Sequence, residues 1–363
     1  MPPERHDSWL LRERSLFTQA RTSAEDILEH YLGVRVHKAF ELGSRNGLDR
    51  AVAELASLLR AKASQSDHTA VKAAIAILDV DWAQTRADQR RTLIAQAMRA
   101  AGRTTARIPR TVQVVFDDAA RKVVEATREA ARRGQGLAIS ADFNALDRRI
   151  VHHLATSQAY AVRDEYGRRH QALSEQARRL VAESLEAGLG RAEMAQDLER
   201  AAQSILAGRS RFYWEVVAGA FVSQGRSFAQ LSAYAEARID RYVIEAVLDE
   251  RTTEVCRFLH GKSFSVDQGL SLFERIEADP TSVKEHTPWV REAFDPTTGR
   301  KALYVPRGGE RVGIAQVAQS ALGTRDHRGE FARGRTEREL ADLGVSFPPF
   351  HGLCRTTTVA AVS

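Results

Sequence analysis

The chain has 363 residues, a net charge of +6 and two cysteines. Its 43% hydrophobic and 28% charged content excludes a disordered chain, and the length predicts two or three parts around a sizeable core. No run approaches the roughly 18–20 apolar residues of a membrane span, so no membrane partner is expected. The opening Met-Pro-Pro-Glu-Arg-His-Asp lacks the layout of a signal peptide, which makes a cytoplasm the default compartment. Two thiols exclude a disulfide framework and leave one bond at most.

From Ser8 to about 240 the pattern predicts helices, with apolar residues recurring three and four apart and prolines almost absent. Between Arg86 and Arg133 the chain is rich in arginine. Arg90, Arg91, Arg99, Arg103, Arg107 and Arg110 are candidate phosphate contacts, and Arg121, Lys122, Arg128, Arg132 and Arg133 extend the run. The competing reading is a solvated helix face, with Glu125 and Glu129 supplying local pairs. The stretch Pro109–Phe116 reads as an interruption of the helices and a boundary between an N-terminal helical arm and the rest, and the expected parts are an N-terminal helical region, 1–135, and a second helical part, 136–240. In that second part, Leu173, Ala177, Leu180, Val181 and Leu185 make one apolar stripe, punctuated by Gly188 and Gly190. Met194, Leu198, Ala201 and Ile205 make the next, and Val217, Phe221, Phe228, Leu231 and Ala235 a third; all read as core faces. His152 and His153 are adjacent and point in different directions on a helix, so they read as core or surface histidines.

After residue 240 the texture changes. Tyr242–Leu248 reads as a strand, and 263–266, 302–305 and 356–362 are shorter strand candidates between proline- and glycine-marked loops. The segment Gly323–Gly329 reads as exposed and mobile. The expected fold class is α+β: a long, mostly helical body followed by a small α+β module, 241–363.

Both cysteines lie in that module, each with a histidine near it. One segment runs Asp249-Glu-Arg-Thr252-Thr253-Glu-Val-Cys256-Arg-Phe-Leu-His260-Gly261-Lys262, and the other Pro348-Pro349-Phe-His351-Gly-Leu-Cys354-Arg355. Asp249 closes the strand and is placed to cap the following short helix. On that helix Cys256 and His260, four apart, are expected on one face, with Gly261 ending the turn. If the closing turn lies against it, Cys256, His260, His351 and Cys354 make a Cys2His2 set of the kind that holds structural zinc. Two other readings stay open: a pair of small buried thiols, and one disulfide formed inside a particle outside the cell. Each cross-link requires the two sulfurs within about 8 Å. A Cys256 nucleophile with a His351 base and Asp249 nearby has the ingredients of catalysis. No strained nucleophile turn, phosphate-binding glycine loop or HExxH pair accompanies it, so no enzymatic activity is expected.

The order strand, Asp-x-x-Thr-Thr-x-x-Cys, Gly-Lys, long excursion, Pro-Pro-x-His-x-x-Cys-Arg resembles the phage Mu F-like head morphogenesis proteins, minor capsid proteins encoded beside the portal. The helix, glycine break and second helix over 174–198 and the helix over about 211–238 extend the resemblance, to roughly 140–363. It implies a protein that acts by docking to the portal and to the procapsid shell or scaffold, with contact to packaged DNA left open. The expected location is the host cytoplasm during assembly and the virion interior afterwards. The alternatives are a metal-dependent hydrolase or nuclease with a C-terminal Cys/His site, and a delivery domain of a toxin system.

Overall fold

The computed structural model describes residues 45–361, apart from 209 and 295–298. The helices expected over 8–44 lie outside the described residues. The fold is a helical body carrying a small α+β module, in agreement with the class read from the sequence.

Helix α1 (Arg45–Leu78) buries Leu55, Leu59, Ala63, Ala70, Ala74 and Leu78, the three-and-four spacing of one helix face. A short 3-10 turn at Trp82–Gln84 reverses the chain, with the Asp81 carboxylate accepting from the Ala83 amide. Helices α2 (Ala87–Thr105) and α3 (Ile108–Gly134) follow. The stretch Pro109–Phe116 does not interrupt the helices; the junction between α2 and α3 falls just before it, at Ala106–Arg107. Pro109 sits in the first turn of α3, where its missing N–H costs nothing, and Val112 and Phe116 belong to that helix's buried face. Helix α4 (Ala145–Glu186) starts at Asn144, whose side chain accepts from the Asp147 amide. It ends before Gly188, which takes the left-handed φ of +67° expected of a helix stop. Helix α5 (Arg191–Ala202) and a π turn (Gln203–Gly208) lead into helix α6 (Ser210–Glu236).

Helix α6 is the axis of the structure: every residue from Phe221 to Tyr234 is buried, as required of a helix packed on all sides. On one side Phe221 meets Phe116 of α3 at 4.9 Å between ring centroids. Gly225 lets Val123 of α3 and Leu154 of α4 approach so closely that a Cβ there would sit 2.8 Å from Val123. At the C-terminal end of α6, Glu236 and the buried Asp147 of α4 both pair with Arg128 of α3 at 2.9 Å. Arg128 is only 2% exposed, so it does not belong to the basic surface assigned to it from sequence.

On the other side, α6 carries the module. A three-stranded antiparallel sheet has the order β2 (Ser263–Ser265), β1 (Arg241–Glu245), β7 (Thr357–Ala360). Gln230 of α6 donates to Thr358 O at 2.9 Å and the Tyr234 hydroxyl meets Thr358 Oγ1 at 3.1 Å, which fixes β7 on the helix. Between β1 and β2 lies the short helix α7 (Glu254–Leu259); α8 (Val266–Ala278) and the single turn α9 (Val283–His286) follow β2. A second antiparallel sheet has the order β3 (Arg291–Phe294), β4 (Lys301–Arg307), β5 (Glu310–Gln319), β6 (Glu330–Ala332), and α10 (Glu337–Asp342) precedes the closing motif. Only β4 of this sheet is anticipated by the sequence reading. Among the described residues, no helix is long and apolar enough to cross a membrane.

Candidate metal centre

Strand β1 ends at Glu245, and the chain crosses to α7 through residues 246–253. Thr253 caps α7, its hydroxyl accepting from the Cys256 amide at 3.4 Å. This is the role the sequence reading gave to Asp249. The Asp249 carboxylate instead accepts from the Arg251 amide at 3.0 Å and from Thr252 Oγ1 at 2.9 Å, and it receives both Arg355 guanidinium donors at 2.6 and 2.9 Å. Those bonds, the Arg355 pair first, hold the Asp249 carboxyl well below the usual carboxylate range. Fully buried Arg257 closes the rest of this turn, donating to the carbonyls of Asp249, Thr252, Thr324 and His327. The segment 323–329 is exposed, as expected, but its backbone is tied down by that residue.

The closing motif approaches through a cis Pro348–Pro349 bond. The turn that follows has Cys354 N–H donating to His351 O at 3.3 Å. It presses against α6 at Gly219, where a Cβ would lie 2.9 Å from Gly352 O. Buried Arg226 of α6 then reaches the carbonyls of Arg355 and Thr356 at 3.1 and 2.5 Å.

These contacts bring the two motifs together. Cys256 Sγ lies 3.8 Å from Cys354 Sγ and 3.2 Å from His351 Nε2. The three donor atoms all fall within 4.8 Å of one another and could hold a metal ion. Both cysteines are free thiols, 3% exposed. The hydrogen bond with Cys354, and then burial, push the Cys256 thiol up. Burial opposes a charge on Cys354. The bond with Cys256, the His351 ring and a Phe350 backbone group nevertheless hold its thiol well below the usual range. Two sulfurs and one imidazole nitrogen therefore face a common point, with Arg226 nearby. Burial pulls that guanidinium down to about 10, the Cys354 charge acts against the fall, and Arg226 stays protonated at neutral pH.

His260 does not join them. Helix α7 ends at Leu259, and His260 leaves it with an extended ψ of 130°, so the four-residue spacing from Cys256 no longer means a shared face. Its Nδ1 accepts from the Ala246 amide at 3.1 Å, a contact that secures the end of β1. Gly261 ends the turn as expected, with φ +80°, and Lys262 extends over the Phe258 ring toward Glu337. His153 is a core residue wedged between Phe228 and Phe273.

Beside the centre lies a cleft of about 580 Å³ between α1 and the closing turn. Its lining includes Asp49, Arg60, Glu215, Arg251, Cys354 and Arg355.

The arginines singled out between 90 and 110 divide. Arg90 is half-buried, and its Nε donates to Thr85 O at 2.9 Å. Arg91, Arg99, Arg103, Arg107 and Arg110 are exposed. Arg132 and Arg133 pair with Glu129, as the solvated-face reading expects.

Comparison with family models, with curated proteins and with solved structures found no match to this chain.

Proposed function

We propose that this chain is an assembly protein of the head morphogenesis type, which acts by docking and has no turnover of its own. The observation that carries the reading is the meeting of its two separated motifs. The Thr-Thr-x-x-Cys half and the His-x-x-Cys-Arg half touch at Cys256, His351 and Cys354, and again at Asp249 and Arg355. Such a double tie closes the terminal module across the roughly ninety residues that separate the halves. An anchored surface serves binding to the portal and to the procapsid shell or scaffold.

Zinc is the metal the donor set fits. Tetrahedral zinc with bonds of about 2.3 Å to sulfur spaces two thiolates about 3.8 Å apart, and the two sulfurs here stand at 3.8 Å. Soft thiolate with imidazole selects zinc over oxygen-seeking magnesium or calcium. When bound, zinc supplies a cross-link between α7 and the turn that precedes β7. Cys256 and Cys354 hold it through sulfur and His351 through Nε2.

One observation favours a second reading, a metal-dependent hydrolase. Among the described residues three protein donors gather, the number found in catalytic zinc sites, and the cleft beside them borders Cys354. Against it, neither Cys256 nor His351 lines that cleft. Cobalt-substituted protein separates the two, since added azide alters the spectrum of an open site and leaves a closed one unchanged.

The docking reading is tested by co-expression with the portal, scaffold and shell proteins encoded by the same genome, followed by sedimentation of procapsids. The chain is expected in the procapsid fraction. Its absence from particles, with no binding to isolated portal, overturns the reading.

A further inference from the structure

From Gln89 to Phe116 the chain contains six arginines and no acidic residue. Two of the six are set apart, Arg90 by its bond to Thr85 and Arg91 by its place further round the helix. The other four are Arg99, Arg103, Arg107 and Arg110. All are exposed, and among the described residues none has a carboxylate partner.

The backbone aligns them. Between α2 and α3, Ala106 and Arg107 keep right-handed helical dihedrals, so the chain continues its turn through the junction. At about 100° per residue, the four arginines fall within roughly 80° of arc. The buried residues Ile94, Ala97, Ala101, Ile108 and Val112 occupy the opposite side. With a rise of about 1.5 Å per residue, the stripe is roughly 16 Å long and presents a guanidinium about every 5–6 Å.

We propose that this stripe binds the phosphate backbone of double-stranded DNA. Charge complementarity argues for a polyanion. Four unpaired guanidinium groups in line need no local acid to be displaced, and each can take phosphate oxygens two at a time. The duplex is favoured over a single strand because single-strand binders stack bases on aromatic rings. Trp82 and Phe116 flank the stretch with no aromatic residue between them, and both are fully buried. Binding through phosphates alone is independent of sequence. The stripe lies on other helices than the Cys/His cluster, so the proposal stands apart from the docking reading.

Fluorescence anisotropy of the full chain with a 30-base-pair duplex tests it. Four phosphate contacts give a log–log salt slope near −3.6, so affinity should fall about a hundredfold from 50 to 200 mM KCl. The variant carrying Arg99→Gln, Arg103→Gln, Arg107→Gln and Arg110→Gln should lose most of the binding at 50 mM KCl. A control with Arg178→Gln, Arg238→Gln, Arg333→Gln and Arg338→Gln removes the same charge from exposed sites elsewhere and should keep it. If the stripe variant folds poorly, phenylglyoxal footprinting of the unmodified chain replaces it, and the duplex should protect the four arginines. No binding at 50 mM KCl, equal loss in both variants, no protection, or tighter binding to single-stranded DNA or polyglutamate than to the duplex would each overturn the proposal.

Discussion

Arg355 grips Asp249 through both guanidinium donors, at 2.6 and 2.9 Å, one residue beyond Cys354 and seven before Cys256. The ion pair and the Cys/His cluster are therefore two ties between the same pair of segments. Asp249 is 5% exposed, and its charge is compensated chiefly by this partner, with the Arg251 amide and the Thr252 hydroxyl also donating to it.

Arg355→Met should accordingly destabilise by about 3–5 kcal/mol, because it removes the two-point cation paired with a buried carboxylate. Arg355→Lys keeps the charge and loses the two-point geometry, and should cost less. Urea unfolding at pH 7 measures both. Equal and small effects, below about 1 kcal/mol, would show that water already solvates Asp249.

The metal reading predicts about one zinc per purified chain by elemental analysis, and a lower melting temperature after chelation. A structural zinc can contribute several kcal/mol to folding. Cys354→Ala and His351→Ala should each lower the zinc content and the melting temperature together. With both thiols 3% exposed, iodoacetamide should label the native protein slowly and the chelated or unfolded protein fast. Fast native labelling of Cys256, with a Cys256→Ala protein that melts normally, would move the weight to a nucleophilic cysteine.

That the motifs would meet was legible because this chain has only two cysteines and sets a histidine near each. The membership of the cluster was less legible. His260 follows Cys256 by four residues, and spacing alone cannot reveal that α7 stops between them and the ring turns to the Ala246 amide. Asp249 and Thr253 both suit a helix cap, and the choice is made by Arg355, which is distant in sequence and claims the carboxylate. Strand β5 was missed although Gly308-Gly309 before an apolar alternation is a hairpin signal. The buried Arg128 bridge to Asp147 and Glu236 had no such signal, since its partners come from two other helices.

Gly219→Ala tests how the cluster is held. Alanine favours a helix over glycine by about 1 kcal/mol, which alone would stabilise α6. Here the added Cβ would lie 2.9 Å from Gly352 O and 3.1 Å from Leu353 Cδ2. The nearer atom is a backbone carbonyl that cannot swing aside, and overpacking of this kind costs about 1–3 kcal/mol. The expected outcome is a net loss of stability with faster native labelling of Cys354. An unchanged or higher melting temperature would mean that the closing turn is free to shift.

The pH profile of stability separates two buried groups of opposite sign. Asp67 is 1% exposed; burial pushes its carboxyl up to about 6, against the Tyr166 hydroxyl that donates to it at 2.7 Å and the charges of Arg169 and His68. The folded state then keeps a proton that the unfolded chain releases near pH 4, so this group's contribution falls as pH rises from about 4 to about 6, by roughly 3 kcal/mol. His153 is 2% exposed with both ring nitrogens unpartnered; burial pulls it down to about 4, with Glu277 opposing and His152 adding to the fall. The folded state refuses a proton that the unfolded chain accepts below about 6.5, so its contribution falls as pH drops from there to about 4, by a similar amount. Between pH 4 and 6 the two slopes oppose each other. His153→Phe, which replaces a titratable ring by an apolar one between Phe228 and Phe273, should unmask the Asp67 slope and give a protein that loses stability on raising the pH. Asp67→Asn retains an acceptor for Tyr166 and should unmask the reverse. Urea titrations at pH 4, 5, 6 and 7 measure both, and two variants that keep the profile of the unmodified chain would refute the assignment of these groups.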